Sequence, residues 1–158
     1  MILGKWVNGT GEGFDTALAI RTEVFCEELG VSLEEERDEF DKISAHVLIF
    51  DENSAPVATG RLFPDREGWH IGRLCVKKQS RGKGFGDMAL RMLLDRAART
   101  VPDADIVLSA RTDVADWYAT FGFAPEGEVY DEAGFPHVRM RVNAKNIIWH
   151  KPCGGRSS

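Results

Sequence analysis

The stretch Ile71-Gly72-Arg73-Leu74-Cys75-Val76-Lys77-Lys78-Gln79-Ser80-Arg81-Gly82-Lys83-Gly84-Phe85-Gly86 leads an apolar strand into a turn with glycine at every second position, then into a helix start. Glycines let backbone approach a ligand closely, and a helix N-terminus adds about half a positive charge. Together these features read as a pyrophosphate cradle. A Walker-type loop is excluded, because Lys83 precedes Gly84 and no hydroxyl follows. The dinucleotide fingerprint is excluded too, because Asp87 stands where its third glycine belongs. A purely structural turn explains the glycines equally well, so the rest of the chain must decide.

Working outward, Phe85, Ala89, Met92, Leu93 and Ala97 predict a helix over 84–100, with Asp87, Arg91, Asp95 and Arg99 on its solvent side. Residues 106–109 read as a short buried strand. A helix capped at Thr112 or Asp113 follows, carrying Val114, Trp117, Tyr118 and Phe121 and stopped by Gly122. Strands over 126–131 and 136–142 complete the domain, the last alternating Val138, Met140 and Val142 with His137, Arg139 and Arg141. Upstream, a strand over 2–8 precedes a helix that runs to Gly30, and Ser32 with Glu35 starts a second, acidic helix. Strands over 45–50, 56–63 and 69–76, separated by turn residues, form an antiparallel meander. The whole is a mixed α/β order, closed by a loose tail from about Lys145.

The 158 residues suffice for one domain with a single core. A formal charge of −5 argues against non-specific nucleic-acid binding and gives no reason to expect an anionic membrane. No apolar run reaches the ~20 residues of a membrane span, and no leader pattern opens the chain, so a cytoplasmic protein is expected. Cys26, Cys75 and Cys153 form neither a disulfide framework nor a zinc pattern, and His150 with Cys153 lacks a second pair of ligands. No metal is expected. Charge is uneven: Glu23 to Asp41 holds nine acids and one base, whereas Lys77 to Arg99 holds seven bases and two acids. Two solvated helical faces would explain this, as would a site with an anionic ligand on one side and a cationic one on the other.

Arg81-Gly82-Lys83-Gly84-Phe85-Gly86 resembles the Arg/Gln-x-x-Gly-x-Gly/Ala acyl-CoA loop of the GNAT superfamily of N-acetyltransferases, and Tyr118-Ala119-Thr120-Phe121-Gly122-Phe123 resembles its later Tyr-x-x-x-Gly-Phe segment. The element order from Ile2 to Val142 is similar to the family fold. Arg21-Thr22-Glu23-Val24-Phe25, Asp41-Lys42-Ile43-Ser44-Ala45-His46, Gly60-Arg61 and Gly134-Phe135-Pro136-His137-Val138-Arg139-Met140 resemble its ElaA/YjcF-like branch. Arg111 departs from an amide common in that branch, and Phe63 from a second arginine. The resemblance implies an α/β (α+β) fold: a mixed, mostly antiparallel sheet of about six to seven strands, splayed in the middle and flanked by about four helices. It covers a single N-acetyltransferase domain over residues 1–144, with a C-terminal tail over 145–158.

The same resemblance implies an acyltransferase with acetyl-CoA as co-substrate, lying in a V-shaped opening. Leu74, Cys75 and Val76 would supply the strand edge for its pantetheine arm and an N–H for the thioester oxygen. Arg81, Gly82, Lys83, Gly84, Phe85 and Gly86 would hold the pyrophosphate. Tyr118 matches the family tyrosine and is the candidate general acid for the departing thiolate; its alternative is a core partner of Val114 and Phe121. An amine of pKa ~10 also needs a proton acceptor, for which His137 and His46 have suitable chemistry, each with a structural alternative. A covalent acetyl-Cys75 is disfavoured by its buried-looking strand and lack of an activating partner. The partner would be a small-molecule or peptide amine acting on a monomer or homodimer, without nucleic acid or membrane. The competing reading is a catalytically silent CoA-binding sensor of the same fold.

Overall fold

Side-chain alternation and turn chemistry produce seven strands: β1 (Leu3–Asn8), β2 (Ala45–Phe50), β3 (Pro56–Asp65), β4 (Gly68–Val76), β5 (Asp105–Arg111), β6 (Ala124–Glu132) and β7 (Phe135–Asn143). The computed structural model describes residues 1–36 and 38–151; Cys153 and the end of the tail lie outside them. One sheet holds all seven in the order β1-β2-β3-β4-β5-β7-β6. The meander expected over β2 to β4 is present, and only β4 with β5 is parallel. Among the described residues, no helix is long and apolar enough to cross a membrane.

Helix α3 (Phe85–Thr100) covers one face of the sheet, inserting Phe85, Ala89, Leu90, Leu93, Leu94 and Ala97. Complete burial of a leucine contributes about 1.5–3 kcal/mol, so Leu90, Leu93 and Leu94, each 0% exposed, anchor the main core. Asp87, expected on the solvent side, is buried and paired with Arg91 at 2.6 Å, so that edge of the helix also faces protein. Val138, Met140 and Val142 join the same core, which turns Arg139 and Arg141 to the opposite face. Helix α1 (Phe14–Arg21) packs Phe14, Ala17 and Ile20 on that opposite face against Leu48 and Cys75. It continues through a π-helical segment, Thr22–Glu28.

The expected second acidic helix is a single turn, α2 (Leu33–Glu36). Short helix α4 (Ala115–Ala119) carries Trp117 and Tyr118 after β5. Residues 145–151, expected to be loose, instead lie against the body. Ile147 is buried, Ile148 N–H bonds Phe121 O at 2.9 Å, and the His150 ring meets Phe121 at 4.4 Å. Apolar Ile147 drives this docking by entering the main core.

Two features of β4 shape the opening. At its start Gly68 has φ +131°, and an added Cβ would stand 2.3 Å from Asp105 O, so only glycine lets β4 approach β5. The parallel ladder then extends only from Gly68↔Asp105 to Ile71↔Leu108. Beyond it the strands splay, leaving Gly72–Val76 as one wall and Ser109–Arg111 as the other. At Arg73, with φ +52°, the strand bulges: Thr59 pairs Cys75 while Arg61 pairs Gly72. One extra residue reverses the alternation. Ile71 and then Leu74 and Val76 face α3, so Arg73 and Cys75 both turn toward α1.

Candidate active site

The near wall ends in Cys75 and Val76, both buried. Burial pushes the Cys75 thiol well above its ordinary range, which makes it a packing residue rather than a nucleophile. Tyr118 reaches this strand from α4, close enough for its ionisation to sense Cys75. The ring packs against Trp117 and edge-on to Phe123, and burial raises the phenol's pKa. Its hydroxyl takes no hydrogen-bond partner among the described residues, yet its oxygen is not among the sealed, unsatisfied ones. The phenol therefore keeps its proton at neutral pH. That combination suits a proton donor.

The glycine turn lies between this wall and α3. Gly82 and Gly84 adopt φ +77° and +88°, and open space surrounds the position of a Cβ at Gly84. Gly84 O receives Met88 N–H as the first helical bond, leaving the first-turn N–H groups of Phe85 and Gly86 without intrahelical partners. These residues fit a pyrophosphate. Lys83 is the adjacent exposed cation. Arg81 is already held: its Nε donates to Val76 O at 3.0 Å, and its Nη atoms fork onto Glu28 at 2.6 and 2.7 Å. Those hydrogen bonds pull the Glu28 carboxyl below the usual range. The partnership was invisible in sequence because 53 residues separate the two.

The acidic stretch, expected to be a solvated helical face, instead enters the protein beside β4. Arg21 Nε donates to Glu36 Oε1 at 2.6 Å and its Nη1 to Asp41 Oδ1 at 2.7 Å. Arg61 Nη1 bonds Asp38 at 2.6 Å and Asp41 at 2.9 Å, and Arg73 reaches Asp38 at 3.2 Å. Glu36 and Arg21 are each 1% exposed. Burial raises Glu36 despite Arg21, whereas in Asp38 and Asp41 burial is outweighed by arginine hydrogen bonds and the carboxyl pKa falls. His46 is sealed into this cluster, 0% exposed, with Nε2–H donating to Asp41 O at 3.2 Å and its ring on Phe14. Burial lowers its pKa. This position gives His46 no contact with an incoming amine.

The far wall carries Ser109 and Arg111 on β5, with His137 paired opposite Arg111 on β7. Their side chains share the face opposite α3, so His137 and Tyr118 stand on different faces of β5. Arg111 pairs with Asp113 at 2.9 Å and lies over the Phe135 ring. Phe63, the other departure from the branch, stacks between Phe40 and His70 at 4.8 and 5.0 Å.

The β4/β5 pair splays beside a glycine turn, as in an acyltransferase fold, and residues 10–144 match the Acetyltransferase (GNAT) domain family. The chain belongs to that family. Within it, the chain is 32% identical to the uncharacterized N-acetyltransferase YjcF of Bacillus subtilis, covering 82% of this chain and 91% of that one. It is 31% identical to protein ElaA of Escherichia coli over 83% of this chain and 86% of the other. The crystal structure of E. coli ElaA superposes with a TM-score of 0.80 at 28% identity, covering 89% of this chain and 99% of that one. An acyl-CoA N-acyltransferase from Pseudomonas aeruginosa gives the same TM-score and coverage at 27% identity.

Proposed function

We propose that the protein is a cytoplasmic acetyl-CoA-dependent N-acetyltransferase that moves the acetyl group by direct attack of an amine on the thioester. The observation that carries this reading is the buried, unpartnered Tyr118 hydroxyl beside Cys75 at the point where β4 leaves β5. Acetyl-CoA supplies an activated carbonyl and a thiolate leaving group. Leu74 to Val76 offer an unpaired strand edge to its pantetheine arm, and one of their N–H groups is placed to stabilise the thioester oxygen as it gains charge. The turn from Arg81 to Gly86 holds the pyrophosphate, with Lys83 adding charge. Tyr118 donates its proton to the departing sulfur. At neutral pH the phenol holds its proton, and charge building on the sulfur as the C–S bond breaks draws that proton across.

The test uses the full chain, acetyl-CoA and a panel of polyamines, aminosugars, amino acids and peptides, with products read by mass spectrometry. An acetylated amine is expected, and Tyr118→Phe is expected to lower kcat about 10²-fold while CoA binding, read calorimetrically, stays within threefold. Full turnover by Tyr118→Phe would remove the acid assignment. CoA binding with no acetylated product would favour the silent sensor instead.

A further inference from the structure

The reading above assigns no group to take the proton from the amine, and the far wall holds an unused chain of polar groups. The Tyr130 hydroxyl contacts Ser109 Oγ, Ser109 Oγ donates to Glu132 Oε1 at 3.2 Å, and Glu132 Oε2 lies 3.4 Å from His137 Nε2. On its other side, His137 Nδ1 lies 2.8 Å from Phe135 O. A carbonyl can only accept, so Nδ1 carries the hydrogen and the neutral ring presents its lone pair at Nε2. That lone pair faces a carboxylate, which also only accepts. Two acceptors at 3.4 Å become complementary once a proton enters between them. The surrounding charges do not fill that need. Tyr130 stacks on the His137 ring, and Arg111 is committed to Asp113 and Phe135, with Glu28 adding its field from across the opening.

Exposure differs within the pair as a relay requires. His137 is 8% exposed, whereas the Glu132 side chain is 47% exposed. A proton taken at the sheltered ring can leave through the solvated carboxylate.

We propose that His137 is the catalytic base for the acceptor amine, and that Glu132 positions its ring, stabilises the imidazolium and passes the proton to solvent. This rests on the acetyl-transfer reading. An ammonium gives one proton to His137 Nε2, and its freed lone pair forms the C–N bond to the thioester carbon as the C–S bond breaks. Tyr118 protonates the sulfur, and the nitrogen's second surplus proton restores the phenol. The products are amide, thiol and one proton released through Glu132, so charge and atoms balance. Acid and base act from the two faces of β5.

The experiment compares wild type, His137→Gln and Glu132→Gln with two amines: a primary alkylamine, and methoxyamine, which is already neutral at pH 7. His137→Gln is expected to lower kcat/KM for the alkylamine by about 10²-fold, and for methoxyamine by less than about tenfold. Glu132→Gln is expected to lower kcat/KM for the alkylamine by about tenfold and to leave methoxyamine within about threefold, with thermal midpoints unchanged in both variants. Equal losses with both amines in either variant would overturn the assignment and leave the pair structural. A wild type that binds CoA and acetylates no amine would overturn the acetyl-transfer reading beneath it; an active wild type whose two variants match it overturns this proposal alone.

Discussion

Two ionic clusters sit on the same face of the sheet, built from the same side chains in opposite surroundings. Beside β4, Arg21, Arg61 and Arg73 interlock with Glu36, Asp38 and Asp41, mostly out of water. On β7, Arg139 and Arg141 interlock with Glu67, Glu126 and Asp105 in the open. The half-buried Glu126 carboxyl is drawn down to about 2 by hydrogen bonds from Arg141 and Arg139, while the buried Glu36 is raised because desolvation outweighs Arg21. A carboxyl drawn down by arginines thus does not by itself mark the cluster that folding depends on. Solvent compensates Glu126 whenever a partner leaves; nothing compensates the inner groups.

The sharpest way to break the contrast is Asp41→Ala, which removes one carboxylate from both Arg21 and Arg61 and leaves three arginines to share Glu36 and Asp38. A loss of about 3–5 kcal/mol in urea unfolding is expected. A cost near that of a surface pair would show that the inner cluster is hydrated.

The next effect is acid sensitivity. Asp38 and Asp41 have folded pKa values below the unfolded ~3.9, so their contribution is present above that pH and is lost as pH falls through the folded values. His46 and His70 are also lowered by burial, so their neutral rings stabilise the fold above ~6.5 and this too is lost on acidification. Glu36 has the opposite sign: its raised pKa weakens the fold as pH rises through the folded value. The thermal midpoint should therefore fall in two stages, below about pH 6.5 and again below about pH 3.9. His46→Phe should flatten the first stage; an unchanged slope would place the titration elsewhere.

The smallest effect belongs to the outer cluster. Glu126→Gln should move the thermal midpoint by no more than about 2 °C, and about 1 M salt should erase that difference while leaving the cost of Asp41→Ala largely intact. Equal salt sensitivity of the two variants would abolish the distinction.

The order of elements along the chain, the meander of β2 to β4 and the glycine turn were legible in the sequence because each rests on local signals, namely period-two alternation, turn residues and glycine spacing; Tyr118 was singled out by the family resemblance of its segment. The inner cluster was not. Glu36, Asp38 and Asp41 occur in a run that looks solvated, and their partners lie 15 to 37 residues away. Arg73 gave no warning either, since an arginine at positive φ carries no local signature. The pairing of Glu132 with His137 depends on the hairpin that folds β6 onto β7, which brings Tyr130 opposite His137. Imidazole chemistry suggested His137 and could not name its neighbour. His46 had the same chemical credentials and proved sealed, so only packing separates the two histidines.

The bulge at Arg73 acts on β4 as a frameshift acts on a message. Upstream of it, odd-numbered Ile71 belongs to the main core; downstream, that place passes to even-numbered Leu74 and Val76. Regular alternation through every residue, with no bulge, would leave the composition untouched and exchange the two readings of the strand's end. Leucine and valine would be turned toward α1, and Cys75 toward the helix that carries the glycine turn. The extra residue is thus what lets one strand serve as core at its start and as a wall of the opening at its end.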